Sequence, residues 1–300
     1  MHVLTQSTQH NGVQPHQNLV RLFVSSDRKA SLMVLPLIKS SFLFPETNTR
    51  LEPFGFKVSI GGAHISRTMM LEEITRLLAA TSPTATIDEY RRAAIQDNTL
   101  GKATETTREK TFRHLRELYG LSDKVPLFGI YRELIRFDPQ SAPLLSLLAA
   151  WTRDPLLRAT TLAILDTEVG VEVTREALQR ALTETFPGQY SPLNIAKVAR
   201  NAASSWTQSG HFSGYTKKVR CRVQPGSVAV TLALLLGYVS AWHGEQLFAS
   251  PWCQLLDLTG PQARSLAAQA HREELLTMKA IGSVVEINFP RFNRFLEGFL

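Results

Sequence analysis

The sequence predicts a mainly α-helical fold, a helical bundle with helix-turn-helix and winged-helix-like parts and small β elements late in the chain. Three observations carry that expectation. From Ser66 onward, apolar residues recur at spacings of three and four. An acid or hydroxyl side chain stands directly before proline at Asp138-Pro139, Asp154-Pro155, Ser191-Pro192 and Ser250-Pro251, the order of an N-cap and a first helical residue. Strand-like alternation is confined to residues 217–224 (KKVRCRVQ) and 283–289 (SVVEINF).

In chain order, the spacing predicts helices over 67–80, 87–97, 105–119, 126–136, 139–150, 155–166, 175–185, 192–208, 226–242 and 261–277. Residues 1–55 read differently and are expected to form an N-terminal extension or arm. Their polar, His/Gln-rich start gives way to an apolar stretch, Leu32 to Glu46, broken by Pro36, Lys39 and Pro45. Residues 56–186 then form a helical domain with a helix-turn-helix, and 187–300 a winged-helix-like domain.

Composition narrows the class. At 300 residues, 44% hydrophobic and 20% charged, the chain can bury a full core without disulfide or metal staples. Its two cysteines, Cys221 and Cys253, form neither a framework nor a CxxC site, which fits a reducing, cytoplasmic compartment. The first residues lack the pattern of a secretory signal. The most apolar run, Val228 to Trp242, spans fifteen residues. A membrane span needs roughly twenty, so the run is expected to be a buried core helix.

Catalytic patterns are missing. There is no phosphate loop, no GxSxG elbow and no His/Cys set at ligand spacing, and the Gly61-Gly62 pair is too short to count as a dinucleotide motif. His64, His114, His211, His243 and His271 read as surface or satisfied core residues. Glu72-Glu73 and Glu273-Glu274 point about 100° apart on a helix and share no site. No enzyme activity, cofactor, metal or small-molecule substrate is expected.

The net charge of +7 favours a polyanionic partner, nucleic acid before membrane. Two segments could read it. In the first, Thr86-Ile-Asp-Glu89 opens one helix as a capping box, a Gly-containing turn follows, and Thr106-Thr-Arg-Glu109 reads as a second box. Phe112, Leu115 and Tyr119 share the buried stripe, while Thr106, Lys110 and Arg113 project from the opposite face. Lys102 in the turn and Arg91-Arg92 add candidate phosphate contacts. The same pattern also suits a solvated amphipathic helix, because Glu105, Glu109 and Glu117 lie among the cations.

In the second segment, no Asp or Glu occurs between Glu184 and Glu245, whereas Lys197, Arg200, Lys217, Lys218, Arg220 and Arg222 all do. The helix over 192–208 is expected to pack through Leu193, Ala196, Ala199, Ala203 and Trp206. Asn194, Lys197, Asn201, Ser204 and Gln208 step round its other face, as groups that can meet base edges or phosphates. A Gly/Ser/aromatic loop, Ser209 to Thr216, leads into the basic strand, which is expected to act as a wing. A lysine-protected edge strand is the plainer alternative. The sparse aromatics, Trp206, Phe212 and Tyr215, argue against single-stranded RNA recognition.

Three segments together resemble the BrxA family, accessory proteins of bacterial BREX anti-phage systems. They are Gly61 to Leu78, Glu89 to Leu118 with its DNTLGKATETTR order, and Ala203 to Gly210 leading through Lys217-Lys218 into another helix. The resemblance spans about residues 60–240. It implies a compact helical protein, similar in fold to the antitermination factor NusB, that binds double-stranded DNA. The chain departs from the family by its leader and its longer C-terminal part. The expectation is therefore a non-catalytic duplex-DNA-binding accessory protein, with other defence-system proteins as further partners. The alternative is a helical protein–protein scaffold without DNA contact. Between the two candidate readers, the later one is expected to supply most of the affinity, because its cations lack acids nearby in sequence.

Overall fold

The computed structural model describes residues 51–281 and 284–299. Nearly all of residues 1–55, including the apolar stretch at Leu32 to Glu46, lies outside the described residues. The exception is Leu51 to Gly55, where Leu51 and Phe54 are buried in the core.

The chain is mainly helical, with two small antiparallel sheets late in it. Its helices are α1 (Leu71–Ala79), α2 (Ile87–Ile95), α3 (Glu105–Tyr119), α4 (Pro126–Phe137), α5 (Ala142–Arg153), α6 (Pro155–Ala159), α7 (Thr161–Leu165), α8 (Arg175–Thr185), α9 (Pro192–Gln208), α10 (Ser227–Val239), α11 (Pro251–Gln254), α12 (Gly260–Arg272) and α13 (Asn293–Leu296). Strands β1 (Phe212–Ser213) and β2 (Val219–Arg220) pair antiparallel, as do β3 (Thr277–Ile281) and β4 (Val284–Asn288).

Capping explains where many helices start. The Thr86 hydroxyl accepts from Glu89 N at 3.3 Å while Thr86 N donates to Glu89 Oε2 at 2.7 Å, a complete capping box. Asp154 accepts from Leu156 and Leu157, and Ser191 from Asn194. Ser250 precedes its proline as expected but makes no side-chain cap bond. For α3 the expected box at Thr106 is not formed. Thr104 caps that helix instead, accepting from Thr107 N at 3.3 Å.

Two elements, α5 and α10, organise the core. Both are apolar nearly all round and bury almost every residue, as the run at Val228 to Trp242 leads one to expect. Helix α5 packs on α1, α3, α4, α6 and α10, and α10 packs on α11 and α12. One contiguous core runs from Leu51 to Leu296. Helices α8 and α9 pack together across the boundary drawn at 186/187. No single helix among the described residues is long and apolar enough to cross a membrane.

Three expectations are corrected by backbone chemistry. The helix over 155–166 breaks at Thr160, whose hydroxyl and N–H both reach back to Leu157 O and tighten the turn. The hydroxyls of Thr160 and Thr161 then accept from the indoles of Trp206 and Trp151 at 2.8 and 2.7 Å. The helix over 139–150 starts as a 3-10 turn at Pro139–Ser141, and α5 begins at Ala142, just before Pro143, which has no N–H to join a ladder through it. The helix over 261–277 stops at Arg272: Glu274 turns left-handed at φ 58°, and Leu275 N closes on Ala270 O. Thr277 then enters β3, paired with Asn288.

The Gly61-Gly62 pair has a packing role. A Cβ on Gly62 would lie 2.2 Å from Asp154 Oδ1, so only glycine lets the backbone pass over that carboxylate. Replacing Gly62 by Ala should destabilise the protein by about 2–4 kcal/mol in chemical denaturation. The same change at Gly260, where a Cβ meets nothing within 4 Å, should stay within about 0.5 kcal/mol. Equal effects at both sites would contradict the packing assignment.

Candidate nucleic-acid interface

Helices α2 and α3 pack side by side, joined by residues 96–104. That connection is longer than the three- or four-residue turn of a DNA-binding helix-turn-helix, so the pair is a helix–loop–helix. Within the loop, Asn98 and Gly101 adopt positive φ, and Asn98 Oδ1 accepts from Lys102 N at 2.9 Å. Phe112, Leu115 and Tyr119 are buried, as their spacing predicts. The Tyr119 hydroxyl donates to Met69 O at 2.5 Å, which locks α3 onto the segment before α1.

The outward side of this pair forms a groove of about 370 Å³ lined by Arg91, Thr106, Glu109, Lys110, Arg113 and Arg116, with Ile95 and Phe112 at its floor. Four cations face one carboxylate. Arg91 sits 4.0 Å from Glu109, while Lys110, Arg113 and Arg116 make no ion pair among the described residues. His114, on the inner side of α3, is held below its ordinary pKa by burial, with Arg67 and Arg113 adding to the effect. Lys102 is not part of this groove. It is half-buried and paired with Glu73 at 2.8 Å.

The later segment is arranged differently from its sequence reading. Helix α9 buries Ile195, Val198, Ala199, Ala202, Ser205 and Trp206, whereas Leu193 is 79% exposed. Part of its polar face is spent inside the fold. Asn201 donates to His64 O at 2.8 Å, and Gln208 accepts from Leu71 N and donates to Thr68 and Ser204. Asn194 and Ser204 are half-buried; Lys197 and Arg200 remain exposed.

The basic strand is short and covered on both edges. Only Val219–Arg220 is strand, flanked by β1 on one side. On the other, Gly170, Val171 and Val173 exchange backbone hydrogen bonds with Lys218 and Arg220. Arg220 therefore points inward. It is 3% exposed, its Nε donates to Ile164 O at 3.2 Å, and its fork engages the Asp257 carboxylate. Asp257 also accepts from Val223 N at 3.0 Å. Thus Arg220 is a structural ion pair, not a phosphate contact. Lys218 donates to Gly214 O at 2.8 Å, and Lys217 lies 3.9 Å from Glu172. Arg222 and Tyr215 stay exposed, Tyr215 at 96%.

A buried polar trio escaped the sequence reading. His64 Nδ1 lies 2.8 Å from Asp154 Oδ2, and His64 Nε2 lies 2.8 Å from Ser205 Oγ. The order resembles a Ser-His-Asp triad, but all three side chains are fully buried. Ser205 Oγ also accepts from Met69 N and donates to Asn201 O, which leaves it no open side for a substrate carbonyl. The trio ties three segments together. Burial pushes the Asp154 carboxyl up, yet the His64 ring and the N–H groups of His64 and Leu157 outweigh it and hold the group below 3.8. His211, buried against Ser209 Oγ and Leu255 O, is pushed down to about 4 chiefly by burial.

Both shifts have the same sign in stability. A histidine depressed from 6.5 to about 4 binds its proton more readily when unfolded, so stability drops as pH falls through that window. The contribution from Asp154 is present above 3.8 and is lost as pH falls through its lowered folded value. Urea midpoints should therefore decline from pH 6.5 to about pH 4 through His211 and further below pH 3.8 through Asp154, and His211→Gln should flatten the first of these declines. A flat wild-type profile would contradict these assignments. Asp257→Ala strands a buried guanidinium and should cost about 3–5 kcal/mol; a loss under about 1 kcal/mol would show the pair to be dispensable.

A scan against protein-family models finds no match to this chain, and a search of curated proteins finds none either.

Proposed function

We propose that this protein is a non-catalytic, double-stranded DNA-binding accessory protein, and that the α2–α3 groove carries the contact. The observation that supports this most is the groove itself: Lys110, Arg113 and Arg116, all exposed and without an ion-pair partner among the described residues, stand beside Arg91 on a packed helix pair. Cations that are already solvated and unpaired can exchange condensed counterions for phosphate without first breaking an internal bond. Thr106 adds a hydroxyl at the exposed start of α3. Lys197, Arg200, Lys217, Lys218 and Arg222 form a secondary surface, weakened as a wing because Arg220 is withdrawn and Lys218 is anchored.

The setting in a bacterial BREX-type defence system rests on the resemblance to the BrxA family, with other proteins of that system as further partners. The cytoplasm is the proposed compartment; Cys221 and Cys253 are both free thiols. No cofactor or metal enters this reading.

Duplex binding by full-length protein, followed by fluorescence anisotropy across a salt series, tests it. Affinity should fall steeply with salt, and Lys110→Ala/Arg113→Ala/Arg116→Ala should reduce the log–log slope by about 2–3. Lys217→Ala/Lys218→Ala/Arg222→Ala should reduce it by about 1 or less. Circular dichroism establishes that each variant is folded. Folded wild-type protein that ignores duplex DNA at about 50 mM salt overturns the proposal and leaves the protein–protein scaffold. A steeper loss in the second variant moves the contact to the β1–β2 region.

A further inference from the structure

A second groove, of about 280 Å³, lies between α4 and the C-terminal turn that follows β4. Its lining includes Arg132, Arg136, Arg291, Arg294, Glu133 and Phe137. Four guanidiniums here meet a single carboxylate, an imbalance that none of the helix-pair chemistry above requires. The groove exists because Gly129 lets the C-terminal turn close on α4: a Cβ there would lie 2.3 Å from the Phe295 ring.

The arginines are held in place but not spent. Arg291 Nε donates to Glu133 Oε1 at 2.8 Å and Arg294 Nη2 to Glu133 Oε2 at 2.7 Å, one N–H each. Among the described residues Arg132 donates through Nη1 alone, to Ala85 O and the Tyr90 hydroxyl. Aromatic rings support three of the four guanidiniums: Arg291 over Phe137 at 5.0 Å, Arg294 over Phe295 at 4.6 Å and Arg132 over Phe128 at 5.5 Å. Arg136 donates through Nη2 to Leu78 O and Thr81 O, while its buried Nη1 has no hydrogen-bond partner among the described residues. Burial, and to a lesser degree the nearby Arg132, disfavours its charge, with Tyr90 opposing. Preoriented forks with spare N–H groups and an uncompensated charge suit a planar or tetrahedral oxyanion that carries more than one charge.

We propose that this groove is a binding site for a dianionic phosphate group, either free inorganic phosphate or the terminal phosphate of a nucleotide. Glu133 is a positioning residue that aligns Arg291 and Arg294 and competes with the incoming anion. A lone carboxylate ligand would offset the excess charge less completely than dianionic phosphate. The inference is independent of the DNA-binding reading, because the two grooves share no lining residue.

Isothermal titration calorimetry of the full chain at constant ionic strength, with inorganic phosphate, adenosine monophosphate and adenosine as probes, tests it. Phosphate and the monophosphate should bind and adenosine should not. Arg291→Gln/Arg294→Gln should weaken binding by about tenfold or more, as expected for lost charge-assisted hydrogen bonds. Glu133→Gln should strengthen it several-fold, an outcome that a merely structural carboxylate would not give. Lys110→Ala/Arg113→Ala should leave it unchanged, which separates this site from the α2–α3 groove. Monophosphate binding tighter than phosphate identifies the nucleotide source; equal affinities identify the phosphate group alone. Absence of heat from both anions up to about 10 mM overturns the proposal. So does affinity that is the same in wild type, Arg291→Gln/Arg294→Gln and Glu133→Gln, with melting curves confirming the fold of each.

Discussion

The buried Asp154 carboxylate is the constraint on which the rest of the structure depends. One oxygen caps α6 through Leu156 and Leu157, and the other accepts the backbone N–H and faces the ring of His64. The His64 ring continues to Ser205 on α9. A single group thereby joins the segment before α1, the α5–α6 corner and α9. Arg158, almost fully buried, stands nearby and donates to Trp151 O, Thr152 O and Lys57 O. Burial drives its pKa down to about 10, against the favourable pull of Asp154. An ionised carboxylate in this position is tolerable only because each oxygen is hydrogen-bonded.

This use of charge inside the fold changes what the net charge means. Arg153, Arg158 and Arg220 are largely internal, donating to backbone carbonyls or to Asp257. Arg108 reaches Ile95 O at 2.7 Å and holds α3 against the end of α2. The surplus visible from outside is therefore distributed differently from the surplus in the sequence. It includes the α2–α3 groove, where Lys110, Arg113 and Arg116 make no ion pair among the described residues, and the groove beside α4, where four guanidiniums share one carboxylate. The interval without acids between Glu184 and Glu245 loses its meaning once Glu172 and Asp257 come in from elsewhere.

Legibility followed the range of the interaction. Helices α3, α8 and α9 have the bounds that local spacing predicts, because that signal acts within a few residues, although Thr104 and not Thr106 caps α3. Asp154 was legible as an N-cap, but its partner His64 lies 90 residues away and nothing local announces it. Gly61-Gly62 was readable only as too short a dinucleotide motif; its reason is the carboxylate it covers. Alternation in KKVRCRVQ suggested cations on one face, yet a covered strand puts Arg220 inside, where Asp257 waits 37 residues on. Strand β3 was hidden in a run of good helix formers, since the left-handed turn at Glu274 uses neither glycine nor proline. Of the candidate site, Thr106, Lys110 and Arg113 were found by helical spacing, whereas Arg116 and the groove shape needed the packing of α2 on α3.

The central claim is that internal ties leave the α3 cations free to meet duplex DNA. Lysine acetylation footprinting, read by mass spectrometry with and without duplex, addresses it directly. Lys102, paired with Glu73, should react slowly in both states. Lys110 should react fast in free protein and be strongly protected by DNA, with Lys217 changing little. Protection of Lys217 and Lys218 with Lys110 unchanged would contradict the account.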